Sequence, residues 1–119
     1  MPKILIVDDD PIQVDLLMEI FKINHYEVFG TKSSLEALNL LDETHFDLIL
    51  SDIRMPEMDG VELCRRVKKI DPKIKVVLMT AYAGDELVLQ GMQAGALITM
   101  SKPLEIDQLF NQIAFLARK

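Results

Sequence analysis

Three aspartates, Asp8, Asp9 and Asp52, are the side chains in this sequence that are best placed to do chemistry. Asp8 and Asp9, with Asp10 behind them, follow the short apolar run Lys3–Val7, and Asp52 comes shortly after a second run, Phe46–Leu50. Like charges about 4 Å apart repel by roughly 4 kcal/mol at an effective dielectric constant of 20, so gathered carboxylates call for a cation. Oxygen ligands without His or Cys suit a hard ion. The acids therefore predict a site for Mg²⁺ or Mn²⁺.

Two further side chains are suited to an anion on the far side of such a metal. Thr80 follows the apolar run Lys75–Met79, and Lys102 comes shortly after Leu97–Met100. A carboxylate can itself be the nucleophile in phosphoryl transfer and then forms an aspartyl phosphate. A metal ion and a lysine would spread the charge of the transferring group. The set therefore predicts phosphoryl transfer to Asp52.

The elements that must bring these side chains together alternate between strand and helix. Strands are predicted at Lys3–Val7, Tyr26–Thr31, Phe46–Leu50, Lys75–Met79 and Leu97–Met100. Helices are predicted from the Asp10 cap to about Asn24, from a capping box at Ser33 and Glu36, and at Val61–Ile70, Glu86–Ala94 and Glu105–Arg118. This alternation predicts an α/β fold with a doubly wound, five-stranded parallel sheet. Ligands of such sheets lie beyond the carboxyl ends of the strands, where all the polar residues above are expected.

Composition limits the remaining possibilities. The 119 residues suffice for one domain, 1–119, and the net charge of −6 disfavours direct binding to nucleic acid or to anionic membranes. No stretch is long and apolar enough to span a membrane, and the run Ile4–Val7 is too short for a signal peptide, so we expect a cytoplasmic protein. The single Cys64 is expected in the core. His25 and His45 are expected at the surface, without partners.

Four motifs, taken together and in order, resemble those of the two-component response regulator receiver domains (CheY-like), closest in character to single-domain phosphorelay receivers. The resemblance covers essentially the whole chain. The motifs are Ile4–Asp9, Leu50–Gly60, Met79–Ala81 and Ser101–Pro103. The resemblance implies a flavodoxin-like (βα)5 fold with the strand order 2-1-3-4-5.

The resemblance also implies a role for each acidic residue. Asp52 matches the phosphoryl acceptor of these domains and contributes to the metal site. Asp9 matches the direct metal ligand, and Asp8 matches its acidic companion, which often acts through water. The backbone carbonyl of Arg54 would be a further metal ligand.

Other positions match residues that surround the phosphoryl group in this family. Thr80 matches a hydroxyl that bonds to the phosphoryl group and moves on activation, and Lys102 matches a lysine that contacts a phosphoryl oxygen. The bond before Pro103 matches one that is usually cis, although only about 5% of X–Pro bonds are cis in general. Pro56 and Gly60 match positions that shape the loop after the acceptor.

Three positions are expected to tune or alter the switch. Receivers commonly carry an aromatic residue or His three positions before the lysine, and this chain has Thr99 there, which predicts signalling through loop and backbone shifts. Tyr82 is expected either to gate the site partly or to be a half-exposed loop residue. The Arg54 side chain is expected either to shield the phosphoryl group or to be solvated.

The predicted function is a signalling switch that takes its phosphoryl group from a histidine kinase or a histidine phosphotransfer domain and loses it slowly by its own hydrolysis. A phosphatase-like hydrolase would need an acid at Arg54, and a nucleotide or flavin module would need a glycine-rich first turn in place of Asp8–Pro11. A contact-only receiver is disfavoured because every site residue is present. We expect a monomer or weak dimer that is a stand-alone receiver or part of a longer protein.

Overall fold

A computed structural model describes residues 2–82 and 84–116, and within them five strands alternate with five helices. The strands are β1 (Lys3–Val7), β2 (Glu27–Thr31), β3 (Leu48–Asp52), β4 (Lys75–Thr80) and β5 (Ile98–Ser101). The helices are α1 (Pro11–Ile23), α2 (Ser34–Glu43), α3 (Gly60–Ile70), α4 (Leu87–Gln93) and α5 (Ile106–Leu116). All pairings are parallel, and the strand order is β2-β1-β3-β4-β5. The predicted doubly wound, flavodoxin-like sheet is confirmed.

Two hydrophobic cores cover the two faces of this sheet. Successive residues of a strand point to opposite faces, so β1 contributes Leu5 to one core and Ile4 to the other. The core beneath α2, α3 and α4 contains Cys64, which is fully buried as predicted. The core beneath α1 and α5 is built around Phe21. The sheet is therefore buried on both faces, and its two ends remain available for polar residues.

The predicted helix starts are confirmed, with one local difference. The Asp10 side chain accepts a hydrogen bond of 3.0 Å from the backbone N–H of Ile12, ahead of α1. The Ser33 hydroxyl accepts one of 3.2 Å from the N–H of Glu36, ahead of α2. The Glu36 carboxylate bonds to the Thr31 hydroxyl, and it is this hydroxyl that accepts the N–H of Ser33. In the usual capping box the Glu36 carboxylate would accept the Ser33 N–H directly, whereas here the Thr31 hydroxyl lies between them.

Strands β3, β4 and β5 each extend farther than their apolar residues indicate. The predicted ends were Leu50, Met79 and Met100, whereas the observed ends are Asp52, Thr80 and Ser101. Asp52 pairs with Met79 of β4, and Thr80 pairs with Ser101 of β5. Backbone pairing does not depend on side-chain polarity, so the ladder continues into the polar residues and fixes them on rigid strands. The starts of β2, β3 and β5 shift by one or two residues in the same direction.

Helix α4 is shorter than predicted, and α5 begins one residue later than predicted. Helix α4 covers Leu87–Gln93 within the predicted Glu86–Ala94, and Gly95, with a φ of 112°, follows it as the expected stop. Helix α5 covers Ile106–Leu116 within the predicted Glu105–Arg118, and Arg118 lies outside the described residues. None of the described helices is long and apolar enough to cross a membrane.

One prediction about the histidines is wrong. His25 and His45 are both exposed, as expected, but His45 has acidic neighbours. Its Nε2 lies 3.4 Å from Asp47, and its Nδ1 lies 3.8 Å from Asp71. Asp71 lies 24 residues farther along the chain than Asp47. The cluster therefore forms only in the folded protein, where the segment between α3 and β4 lies beside His45.

Candidate functional site

The polar residues predicted to act together do lie at one edge of the sheet. Asp52 is the last residue of β3, Thr80 is the last residue of β4, and Lys102 directly follows β5. Asp8 directly follows β1, whose neighbours are β2 on one side and β3 on the other. The chain order reverses at β1 and β3, which is where an open parallel sheet binds its ligands.

A lysine bridges two carboxylates at this edge. The Nζ atom of Lys102 lies 2.9 Å from Oδ2 of Asp8 and 3.2 Å from Oδ2 of Asp52. Solvent reaches only 1% of the Asp8 side chain, 13% of the Asp52 side chain and 21% of the Lys102 side chain. A second oxygen of Asp8 accepts the backbone N–H of Asp10 at 3.0 Å, which holds this carboxylate in place.

Three carboxylates at the site are close enough to share a cation. Ligand oxygens of Asp8, Asp9 and Asp52 all lie within 4.8 Å of one another, and Asp9 is the exposed member of the group. An all-oxygen donor set that is open to solvent on one side fits a hard divalent ion that keeps some of its waters. The residues present therefore fit the Mg²⁺ or Mn²⁺ predicted from the sequence.

The charges of the site shift the pKa values of two of its groups. Burial raises the pKa of the Asp52 carboxyl, Lys102 counteracts this, and the neighbouring charges of Asp8 and Asp9 raise it further. Burial alone would lower the pKa of Lys102, but its hydrogen bond to Asp8 and the charge of Asp52 outweigh this, so the net shift is upward. The lysine stays charged, and Asp52 is the group whose ionisation added positive charge would favour.

The loop after Asp52 is held close to the end of β3. The N–H of Gly60 donates to the Ile53 carbonyl at 2.7 Å, and a Cβ at residue 60 would overlap the Asp52 carbonyl oxygen. The N–H of Met58 donates to the Pro56 carbonyl at 2.8 Å, which closes a tight turn beside Glu57. Glycine is therefore required at residue 60 for the loop to approach the backbone of Asp52.

The Thr80 hydroxyl belongs to a turn at the end of β4. Thr80 is buried, and its Oγ1 accepts the N–H of Tyr82 at 3.1 Å and lies 3.2 Å from the Tyr82 carbonyl. The N–H of Lys102 donates to the Thr80 carbonyl at 2.7 Å, which ties the lysine to this strand. Tyr82 as a residue is 65% exposed, so it lies at the rim of the site and does not fill it.

The structure places the remaining predicted positions on β5 and just beyond it. Thr99 lies on β5 beside Leu78, and its hydroxyl contacts the sulfur of Met92 on α4 at 3.8 Å. The side chain at this position is therefore directed toward α4. The peptide bond between Lys102 and Pro103 is cis.

Sequence reasoning missed Asp85, which pairs with Arg54. The guanidinium of Arg54 donates from Nε to Oδ2 of Asp85 at 2.9 Å and from a terminal nitrogen to Oδ1 at 2.8 Å. Only 1% of the Asp85 side chain is exposed, and Oδ1 also accepts the N–H of Leu87 at 2.9 Å. These bonds, those from Arg54 first, lower the pKa of the Asp85 carboxyl. The Arg54 side chain is 54% exposed, which agrees with the expectation that it is solvated, and its guanidinium is in addition paired with Asp85. That it shields the phosphoryl group stays a prediction.

A lone acid in a polar turn gave no sequence signal for this pair. Asp85 is 31 residues from Arg54 and belongs to none of the four motifs. One available signal was its position two residues before Leu87, because an aspartate there can cap the helix that follows.

The fold and the acidic edge together define a class: doubly wound parallel sheets with a carboxylate-rich site at the carboxyl ends of the strands. A family model described as the response regulator receiver domain matches residues 4–114. The chain therefore belongs to the receiver domains of two-component and phosphorelay signalling systems. The strand order and the sequence resemblance point to the same family.

Similarity to individual proteins supports this family assignment. The chain is 39% identical to the sporulation initiation phosphotransferase F of Bacillus subtilis (strain 168), over 90% of this chain and 86% of that protein. It is similar to a CheY-like receiver domain protein of Methanospirillum hungatei JF-1, with a TM-score of 0.94, 32% identity, and 98% of this chain and 94% of that chain covered.

A second solved structure and a group of longer proteins are also similar. The response regulator protein TrrA of Thermotoga maritima, solved in complex with Mg²⁺ and a beryllium fluoride, has a TM-score of 0.87 and 31% identity, covering 98% of this chain and 99% of that one. The chain spans only 24% of the length of the transcriptional regulators that it matches at 39% to 40% identity.

Proposed function

We propose that this chain is a phosphoacceptor switch in which Asp52 receives a phosphoryl group from a histidine kinase or a histidine phosphotransfer domain. The observation that carries the proposal is the bridge from Lys102 to Asp8 and Asp52 within a cluster of three carboxylates. The only reaction it catalyses is its own phosphorylation and slow hydrolysis.

The transfer step follows from the position of Asp52. A carboxylate oxygen of Asp52 attacks the phosphorus of the donor's phosphohistidine, the P–N bond breaks, and its electron pair returns to the imidazole nitrogen. In hydrolysis, water attacks the same phosphorus, inorganic phosphate leaves and the Asp52 carboxylate is restored. Lys102 lies 3.2 Å from the acceptor oxygen, where its charge also reaches the transferred group.

The metal-binding residues of the proposal are the three clustered acids. Asp9 would bind the ion directly, Asp8 would act partly through water, and Asp52 and the backbone carbonyl of Arg54 would complete the protein ligands. Mg²⁺ is the proposed ion and Mn²⁺ an alternative, and the bound ion would supply positive charge beside the transferring group. Its charge would also favour the ionised form of Asp52, whose pKa is otherwise raised.

Signalling would begin at Thr80 and continue without an aromatic switch. The Thr80 hydroxyl is held by the turn at Tyr82, and a phosphoryl group on Asp52 would offer it a new acceptor. Thr99 pairs with Leu78 of β4, the strand that ends in Thr80, and its hydroxyl contacts Met92 of α4. A shift of the β4–α4 segment is therefore the proposed output, and Tyr82 at the rim tunes access of water.

The alternative of a phosphatase-like hydrolase has less support. Such an enzyme needs a proton donor two residues after its nucleophile, and that residue here is Arg54. Its guanidinium is committed to Asp85 by two hydrogen bonds and its pKa is raised by them, so it does not supply a proton.

The proposal is tested by labelling with a small phosphodonor. The protein is incubated with phosphoramidate in the presence of Mg²⁺ and then weighed by mass spectrometry. We expect a gain of one phosphoryl group that disappears with EDTA and in Asp52→Asn. Asp10→Asn is the matched control, because Asp10 caps α1 outside the cluster of three, and it should still be labelled. Labelling of Asp52→Asn equal to that of the wild type would overturn the proposal.

The donor is proposed to dock against the first turns of α1. This helix begins directly after the aspartates, and its Ile12 and Leu16 side chains are 78% and 52% exposed. An apolar patch beside the acceptor suits the helices that carry a donor histidine. The chain is proposed to act as a cytoplasmic monomer or weak dimer.

A substitution in α1 separates docking from chemistry. Ile12→Ser should slow labelling by a phosphorylated histidine phosphotransfer domain about tenfold and leave labelling by phosphoramidate unchanged. Phe115→Ser is the control, because Phe115 is 68% exposed near the far end of α5. Equal slowing by both variants would contradict the proposed docking face.

A further inference from the structure

Asp85 is the one buried carboxylate near the site that the proposed phosphoryl chemistry does not use, within the described residues. It lies in the segment between β4 and α4, with 1% of its side chain exposed, and it accepts the N–H of Leu87 at the start of α4. Burying an ionised carboxylate is costly unless it is paired and hydrogen-bonded. The two bonds from Arg54 and the one from Leu87 meet that requirement.

Asp85 interacts with a residue that lies close to Asp52 in the sequence. Arg54, its partner, follows Asp52 by two residues. The Arg54 side chain is long and begins two residues after Asp52, so its guanidinium can be directed either toward Asp52 or toward α4. In the unphosphorylated protein it is directed toward α4, because both of its bonded nitrogens face Asp85.

We propose that Asp85 is a positioning residue that holds Arg54 away from the phosphoryl site and thereby shortens the life of the phosphoryl group on Asp52. This inference rests on the proposed phosphoacceptor role of Asp52. A free guanidinium beside a phosphoryl group makes strong, two-point hydrogen bonds and covers it from water. Pairing with Asp85 removes that protection, so water reaches the phosphorus and the signal decays.

The pairing is stable enough to compete with a phosphoryl group. Arg54 and Asp85 form two parallel bonds of 2.9 and 2.8 Å, the geometry in which arginine binds carboxylates best. Transferring Arg54 to the phosphoryl group would leave the buried Asp85 carboxylate without its charged partner, with the N–H of Leu87 still bonded to it. Asp85 therefore restrains the arginine even after Asp52 is phosphorylated.

A double-mutant cycle tests whether Asp85 acts through Arg54. The full chain is labelled with phosphoramidate and Mg²⁺, the donor is removed, and the half-life of the phosphoryl group is followed by mass spectrometry. Asp85→Asn keeps an acceptor for the Leu87 N–H but removes the charge, and we expect it to lengthen the half-life about threefold or more. Arg54→Met is the reference for the second half of the cycle, and adding Asp85→Asn to it should leave its half-life unchanged.

The control variant makes the same change of charge elsewhere. Glu62→Gln removes a carboxylate that pairs with Arg65 and Arg66 on the exposed face of α3, and its half-life should equal that of the wild type. An unchanged or shorter half-life in Asp85→Asn would overturn the inference. The same lengthening in the Arg54→Met background would also overturn it. If Asp85→Asn does not fold, Asp85→Ser, which keeps a capping oxygen, replaces it in the cycle.

A second readout needs no phosphorylation and separates this inference from the proposed function. In proton NMR of the unlabelled protein, the Nε–H of Arg54 should exchange slowly with water in the wild type and in Glu62→Gln, and rapidly in Asp85→Asn. Rapid exchange in the wild type would overturn the pairing itself. Failure of the wild type to accept a phosphoryl group, with slow exchange intact, would overturn the phosphoacceptor role and leave the pairing standing.

Discussion

The two edges of the sheet each gather acids around a side chain that can carry positive charge, and they differ in burial. At the carboxyl edge Lys102 lies 2.9 Å from Asp8, and their side chains are 21% and 1% exposed. At the amino edge His45 lies 3.4 Å from Asp47, and their side chains are 64% and 37% exposed. Water screens the second cluster, whereas at the first edge burial raises the pKa of Asp52, and the neighbouring carboxylates raise the pKa of Lys102. Burial therefore distinguishes the carboxyl edge from the amino edge.

The largest effect should come from removing Lys102, the positively charged side chain of the carboxyl edge. Lys102→Ala leaves Asp8 and Asp52 facing each other and deprives the transferring group of a charged donor. We expect the rate of labelling by phosphoramidate at saturating Mg²⁺ to fall about 100-fold, as when one preorganised donor is lost from an active site. His45→Ala is the matched variant at the amino edge. Loss of rate in both variants would mean that burial does not distinguish the two edges.

A smaller effect should appear in stability, with a sign set by the raised pKa of Asp52. The pKa of Asp52 is higher in the folded than in the unfolded protein. At pH values between the two, the folded protein binds more protons than the unfolded protein, so the free energy of unfolding falls as the pH rises through that range. Without divalent metal, Asp52→Asn should therefore stabilise the protein at pH 7 by on the order of 1 kcal/mol, because Lys102 already offsets part of the repulsion.

Urea unfolding at several pH values checks this prediction. The gain from Asp52→Asn should disappear below about pH 4, where the carboxyl is protonated in both the folded and the unfolded protein. Added Mg²⁺ should stabilise the wild type more than the variant, since the variant lacks one of the clustered carboxylates. A variant less stable than the wild type at pH 7 would show that the buried acid contributes favourably to folding.

The smallest effect should belong to the amino edge. His45→Gln removes an exposed group that has no bond shorter than 3.4 Å to Asp47 or Asp71. We expect the free energy of unfolding to change by less than about 0.5 kcal/mol at any pH between 5 and 8. A loss of more than 1 kcal/mol, on the order of a buried pair, would remove the contrast between the two edges.

The sequence predicted the sheet and the acidic edge because both depend on local patterns. Apolar runs separated by caps fix five strands and five helices, and polar residues at strand ends then meet wherever parallel strands align. Asp52, Thr80 and Lys102 were placed at the correct edge in this way. The ends of β3, β4 and β5 were predicted too early, because the ladder continues past the last apolar residue.

The contacts that the sequence did not predict join residues that are far apart in the chain. The contact of His45 with Asp71 and the pairing of Arg54 with Asp85 join residues 26 and 31 positions apart, and no spacing rule connects them. Their geometry is set by where loops between strands and helices come to rest. Arg54 was correctly identified as a residue of interest, but its direction could only be found from the structure.

The central claim is that the buried carboxyl edge, through Asp52, accepts the phosphoryl group. The most direct test labels the wild-type protein with phosphoramidate and Mg²⁺, reduces the acyl phosphate with borohydride to the corresponding alcohol, and locates the modified residue by tandem mass spectrometry. We predict a single modified residue, Asp52. Modification at Asp8, at Asp9 or at any acid of the amino edge in place of Asp52 would contradict the claim.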